Sequence, residues 1–374
     1  MSVDQNAYIS RSTISNLHNN ESINSIQIKI NENPNSKLIF SCSDSKINIC
    51  DTLNQSRKTL FSCDEETNSE LNQLKLFKDL LYAANSEYLQ IFDVNALKQV
   101  GNYKISRDTI NSIEINQSNT LIACSDDLGD IKLLDLRAKT LLTNKKVLKK
   151  HDNICYCVKF NPSNENELFS GSFDSTILKW DLRSMSCASI INISEVLSRK
   201  QEENTDQNSL VSTMTPCFVH SLCFSNINEH SVLLAGIENG ICLAFDTNTC
   251  ECLTLKQIKD FNCALTSMIK LEEGNLNEKF KNYLRLANTN ELFISCGNDL
   301  SIEFFYLNNR KNACNSITIE KLNKFKLNHG YKINNSLFVD NSLFVCDTTS
   351  DLTVYDLNIL SNNNKEVENV SNVS

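Results

Sequence analysis

Short apolar runs separated by polar turns recur through this chain and fall into a repeating unit. The clearest copy runs Leu168-Phe169-Ser170, then a turn through Phe173-Asp174-Ser175, then Thr176-Ile177-Leu178-Lys179-Trp180-Asp181. Two short strands around a tight polar turn account for that pattern. A preceding run, Ile154 to Phe160, adds a third strand. The last strand of the unit ends in aspartate at Asp51, Asp93, Asp135, Asp181, Asp246 and Asp356, and Tyr306 takes that place in one further copy. The first four aspartates lie about 42 to 46 residues apart. A β unit of this size cannot bury its apolar face alone, so the copies must stack.

Seven units of three legible strands account for nearly the whole chain. Their second strands include Lys37 to Cys42, Leu80 to Ala84, Leu121 to Cys124, Leu292 to Cys296 and Leu343 to Cys346. The seventh unit shows no fourth strand after Leu357, while Tyr8 to Ile14 has strand character and no unit of its own. Ring closure resolves both, with the N-terminal strand completing the last unit and hiding two sheet edges. The expected organisation is a flexible 1–7, one repeat domain over 8–358 and a disordered, asparagine-rich 359–374. Polar insertions at 194–215 and 272–291 are expected to be solvated loops emerging on opposite faces.

Composition narrows the function. A net charge of −9 argues against a general nucleic-acid binder and against docking on anionic membranes. No apolar run is long enough to span a bilayer, and the first twenty residues hold no hydrophobic signal core. An intracellular protein, cytoplasmic or nuclear, is the expectation. The 16 cysteines then read as packing thiols. Cys42, Cys124, Cys296 and Cys346 recur at nearly one place in the second strand. Cys155 with Cys157, and Cys250 with Cys252, are spaced to share one strand face. No metal site and no cofactor are expected. Glycine is scarce at 8 residues, so many asparagines are expected at left-handed turn positions. Asp126 and Asp127 beside Gly129 read as turn chemistry. Lys145, Lys146, Lys149 and Lys150 read as a basic loop before the fourth unit.

The period and the strand-ending aspartates resemble the WD40-repeat family over residues 8 to 358. The runs Ile110 to Leu136, Lys150 to Cys155, His329 to Asn334 and Val354 to Asn358 are similar to one member of it. The resemblance implies an all-β, seven-bladed propeller. It also implies a buried hydrogen-bond tetrad in blade four: His151, Asp174, Trp180, and Ser170 or Ser172. A buried indole N–H needs an acceptor and a buried aspartate needs donors, which is why these types belong together. His18 and His329 precede first strands in a similar way. A hydrolase reading of the Ser-His-Asp grouping lacks a nucleophile elbow, so no enzyme is expected.

Asp135-Leu136-Arg137 and Asp181-Leu182-Arg183 end the third strands of neighbouring blades, placing Arg137 and Arg183 on one face. Two arginine forks in register form a clamp for a partner, or each stabilises its own turn. WD40 proteins are interaction scaffolds. A subset are substrate receptors that dock on the adaptor of cullin-4 RING ubiquitin ligases through a Trp-Asp-x-Arg motif. Trp180, Asp181 and Arg183 match that motif; Asp135 and Arg137 match without the tryptophan. The resemblance therefore implies a ligase receptor with an unread substrate protein, or a peptide-binding or complex-assembly scaffold with no ubiquitin role.

Overall fold

One antiparallel meander repeats around the molecule. The computed structural model describes residues 10–356, apart from 31–35, 64–69, 204–215, 272–291, 310–316 and breaks of at most three residues. Its strands form seven four-stranded sheets. Six blades use consecutive strands; blade four, for example, runs Cys155–Phe160, Glu167–Ser172, Thr176–Asp181, Ser186–Asn192. Blade seven is composite. Its outer strand is Ser10–Ile14, paired along Leu352–Asp356 with Ser10 opposite Asp356 and Ile14 opposite Leu352. Inner strands of neighbouring blades touch all the way round, including Ser25–Ile30 against Ile333–Val339. The ring is therefore closed, and the N-terminal strand supplies the closure.

Each blade has one strand more than the three legible in sequence. The outer strands are largely solvent-facing, as in Lys98–Lys104, so their pattern carries little apolar signal. The core is divided among the seams, with one cluster between each pair of neighbours. Tyr82 and Ala84 of blade two face blade three, whereas Leu81 and Ala83 face blade one. Both faces of a second strand are thus buried, which is why these strands read as unbroken apolar runs.

Several expectations change. The lysine cluster lies mostly in the outer strand of blade three, Lys146–Lys149, where Lys149 pairs with Asp130 at 3.0 Å. The insertion 194–215 begins as a helix, Ile193–Glu203, whose Ile193 and Leu197 enter the core between blades four and five. That i, i+4 apolar pair was the helical signal inside a polar stretch. Its remainder, the 272–291 insertion, residues 1–7 and residues 359–374 lie outside the described residues. Cys155 and Cys157 do not share a face. A bulge between them sends Cys155 to the seam with blade three and Cys157 to the seam with blade five. Cys42, Cys296 and Cys346 are equivalent in register, but Cys124 is offset by one residue. Among the described non-glycine residues with positive φ, only Asn19, Asn119 and Asn239 are asparagines; Lys78, Ser86, Leu97 and Ser175 are among the others. Much of the asparagine acts instead through its side chain, as Asn116 does in accepting from the Thr120 and Leu121 amides at 2.8 Å.

Candidate functional site

Blade four brings His151, Ser170, Asp174 and Trp180 together. The Trp180 indole donates to Ser170 Oγ at 2.8 Å, Ser170 Oγ meets His151 Nε2 at 2.8 Å, and His151 Nδ1 meets Asp174 Oδ2 at 2.8 Å. A consistent proton order runs from indole to serine to imidazole to carboxylate. Burial pushes the Asp174 carboxyl up, but hydrogen bonds from His151 and Thr176 outweigh it and hold the group down at about 2. Ser170 is fully buried and already accepts the indole, so its hydroxyl is closed to a substrate. Ser172 lies outside the chain of bonds; it donates to Asn153 O at 3.2 Å.

Other blades solve the same problem with different residues. In blade one His18 Nε2 meets Ser41 Oγ at 2.9 Å, and Glu21, from the preceding loop, accepts from Ser45 at 2.9 Å. In blade seven His329 bridges Tyr355 OH at 2.8 Å and Asp347 at 2.6 Å. Blade six replaces imidazole by the fully buried Lys259 ammonium, 2.9 Å from Asp299 and from Ser301 Oγ. In blade three Asp126 is buried against Lys132 at 2.7 Å, whereas its neighbour Asp127 accepts from Asn111 at 2.8 Å. The paired acids thus do separate jobs.

The strand-ending aspartates build turns. Asp51, Asp93, Asp135, Asp181 and Asp246 each accept the backbone N–H two residues on, at 2.8–2.9 Å. Arg137 then forks onto Asp135 at 2.9 and 2.8 Å, and Arg183 onto Asp181 at 3.2 and 3.4 Å. The Arg137 bonds hold Asp135 down at about 2. Both arginine side chains are exposed, at 67% and 72%, on the same end of the ring.

Sequence reasoning missed the opposite end. There, at the seam of blades four and five, Tyr156 stacks on Phe173 with centroids 5.1 Å apart, and Phe173 stacks on Phe218 at 4.8 Å. His220 packs on Tyr156 and Phe173 at 5.6 and 5.1 Å and bonds Glu238 at 2.5 Å. Aligning the units on their inner strands would have exposed this group, because the positions equivalent to Tyr156 and His220 hold asparagine in four other units and threonine in the remaining one. Among the described residues no His, Cys, Asp and Glu group could hold a metal ion, and no helix is long and apolar enough to cross a membrane.

A family profile described as "WD domain, G-beta repeat" matches residues 142–181, which include Asp174 and Trp180. WD repeat-containing protein 53 homolog of Dictyostelium discoideum is 27% identical over 173 residues, covering 42% of this chain and 45% of that protein. Ribosome biogenesis protein YTM1 of Pyricularia oryzae is 31% identical over 106 residues, 28% of this chain and 22% of that protein. The chain thus spans less than half the length of these relatives. A chain in the crystal structure of a mitotic checkpoint complex superposes with a TM-score of 0.62 at 13% identity, covering 86% of this chain and 84% of that one. With the repeat profile on blade four, seven blades and the N-terminal closing strand in agreement, this chain carries a WD-type repeat over 142–181 within a seven-bladed β-propeller and is similar to WD40-repeat proteins.

Proposed function

We propose that this propeller is a non-catalytic, intracellular scaffold that gathers protein partners on one end of the ring. That end carries the connections into the inner strands and the turns between second and third strands. One observation carries the reading. The exposed tyrosines Tyr88, Tyr156 and Tyr331 all stand there, joined by Leu128 and Leu300. Among the described residues the opposite end shows Ile30, Leu53 and Leu142, without an exposed aromatic. Exposed aromatic side chains on a rigid frame are typical anchors of protein interfaces. The ribosome-biogenesis name of one relative fits an assembly role.

Docking on a cullin-4 ligase adaptor through Arg137 and Arg183 is the weaker reading. Each guanidinium already forks onto its own aspartate, and a partner would have to displace or share that contact. Affinity purification from cell extract separates the two. Tyr156→Ser with Tyr331→Ser is expected to lose partners that Arg137→Ala with Arg183→Ala retains. The reverse pattern, with the ligase adaptor among the proteins lost, would replace the scaffold reading with the receptor reading.

A further inference from the structure

Register places one residue of each inner strand at the mouth of the ring, just before the position where pairing with the second strand becomes regular. These residues are Asn24, Asn72, Asn111, Tyr156, His220, Thr266 and Asn334, and a bulge isolates most of them from the ladder. At four seams the side chain ties one blade to the next. Asn24 donates to Leu71 O at 3.0 Å, Asn72 to Ile110 O at 3.1 Å, Thr266 to Ile333 O at 3.2 Å and Asn334 to Ile23 O at 3.0 Å. The repeat therefore wants a short side chain that donates a hydrogen bond at this point.

Blades four and five break that rule together. Tyr156 and His220 cannot make the short tie, and they build an aromatic group with Phe173 and Phe218 instead. Tyr156 stays 37% exposed. Two adjacent departures from a ring-wide structural pattern, leaving aromatic surface at the mouth, mark a site shaped for something other than stability. Its charge says what fits. The turns on this end carry Asp44, Asp108, Asp127, Asp152, Glu238 and Asp351 against Arg107, Lys150 and Lys332, with Lys104 and Lys149 at outer-strand ends and Arg199 of the helix adding positive charge. Glu238 stands beside the aromatic group and keeps 27% of its side chain exposed while it accepts from His220. A carboxylate has lone pairs for further donors.

We infer that the mouth of the ring between blades four and five binds an arginine side chain of a basic, extended protein segment. This rests on the scaffold reading and names its partner's chemistry. The planar guanidinium lies along the Tyr156–Phe173–Phe218 array and donates to Glu238, while the acidic turns hold the rest of the segment. Arginine suits the site better than lysine, because its flat cation both stacks on rings and forks onto a carboxylate. Burial lowers the His220 pKa against the opposing pull of Glu238, and Lys332 adds a smaller push in the same direction as burial, so Lys332 is a cation already in this field.

Fluorescence polarisation with the full chain tests it, using a labelled synthetic peptide of Gly-Arg-Ser-Gly repeats and its lysine and glutamate counterparts. The arginine peptide is expected to bind, the lysine peptide several-fold more weakly, and the glutamate peptide not at all. Tyr156→Ser and the near-isosteric Glu238→Gln should each weaken binding roughly 5- to 30-fold, the range of a partly desolvated cation–π or ion contact. Arg137→Ala with Arg183→Ala, on the opposite end, should leave it unchanged. Circular dichroism melting confirms that each variant is folded; Glu238→Gln carries the test if Tyr156→Ser is not. Equal binding of arginine and lysine peptides, unaltered by Glu238→Gln, would overturn the inference, as would binding of the glutamate peptide. If no arginine peptide binds while the Tyr156→Ser, Tyr331→Ser protein still loses partners from extract, this inference fails and the scaffold reading stands. If no arginine peptide binds and the Tyr156→Ser, Tyr331→Ser protein loses no partners, both fail.

Discussion

Ser170→Ala is the sharpest probe of how blade four holds together. The hydroxyl is fully buried and joins the Trp180 indole to His151, each at 2.8 Å. Removing it strands a buried N–H donor and one imidazole nitrogen, with no room created for water beyond one oxygen. An unsatisfied buried polar group costs about 1–3 kcal/mol. The expected loss is therefore about 2–4 kcal/mol, read from urea unfolding followed by tryptophan fluorescence, Trp180 being the single tryptophan of the chain. Trp180→Phe removes the donor instead, so its loss comes from apolar area and packing. In the double variant the stranded indole no longer exists. The two losses should then fall short of additive by about 1 kcal/mol, measured by far-ultraviolet circular dichroism because the fluorophore is gone. A Ser170→Ala loss below about 0.5 kcal/mol, or full additivity, would refute the claim that these atoms form one network.

Other perturbations test other parts of the ring. Deleting residues 1–15 removes the edge strand paired to Leu352–Asp356; five paired residues at about 0.5–1 kcal/mol each predict a loss of roughly 2–5 kcal/mol, and an unchanged melting temperature would deny ring closure. A Cβ on Gly171 would lie 2.4 Å from Val219 Cγ1 of the next blade, so Gly171→Ala should destabilise by about 1–3 kcal/mol, checked by thermal melting. Burial lowers the His18 pKa from 6.5 to about 4. The unfolded chain then binds this proton more readily, so stability is level above pH 6.5 and falls as pH drops towards 4, by at most about 3 kcal/mol. His18→Gln keeps a hydrogen-bonding group without the titration and should flatten that stretch of a stability–pH curve.

The architecture was legible because it is written in strand alternation and in a repeated aspartate. Asp135 and Asp181 recur because a tight turn after the third strand needs an acceptor for the N–H two residues on. Blade four was legible in chemical detail because Trp180 can be satisfied in few ways. The equivalent sites in blades three and six were not, since Lys132 with Asp126 and Lys259 with Asp299 meet the same need through unrelated residue types. The outer strands escaped because a solvent-facing edge has no apolar pattern. The helix Ile193–Glu203 escaped because two buried residues are a faint signal among polar ones. Tyr156 and His220 escaped for a different reason. A bulge inverts the side-chain alternation there, so Cys155 and Cys157 read as neighbours on one face and hide the tyrosine that the bulge delivers to the mouth.

The most direct test of the account is hydrogen–deuterium exchange on the full chain, with and without the arginine-repeat peptide. The account predicts slowed exchange confined to the mouth of blades four and five, at residues 152–157, 173–175, 216–221 and 237–240. Slowing at 136–142 and 182–186, around Arg137 and Arg183, with none at the mouth, would contradict it.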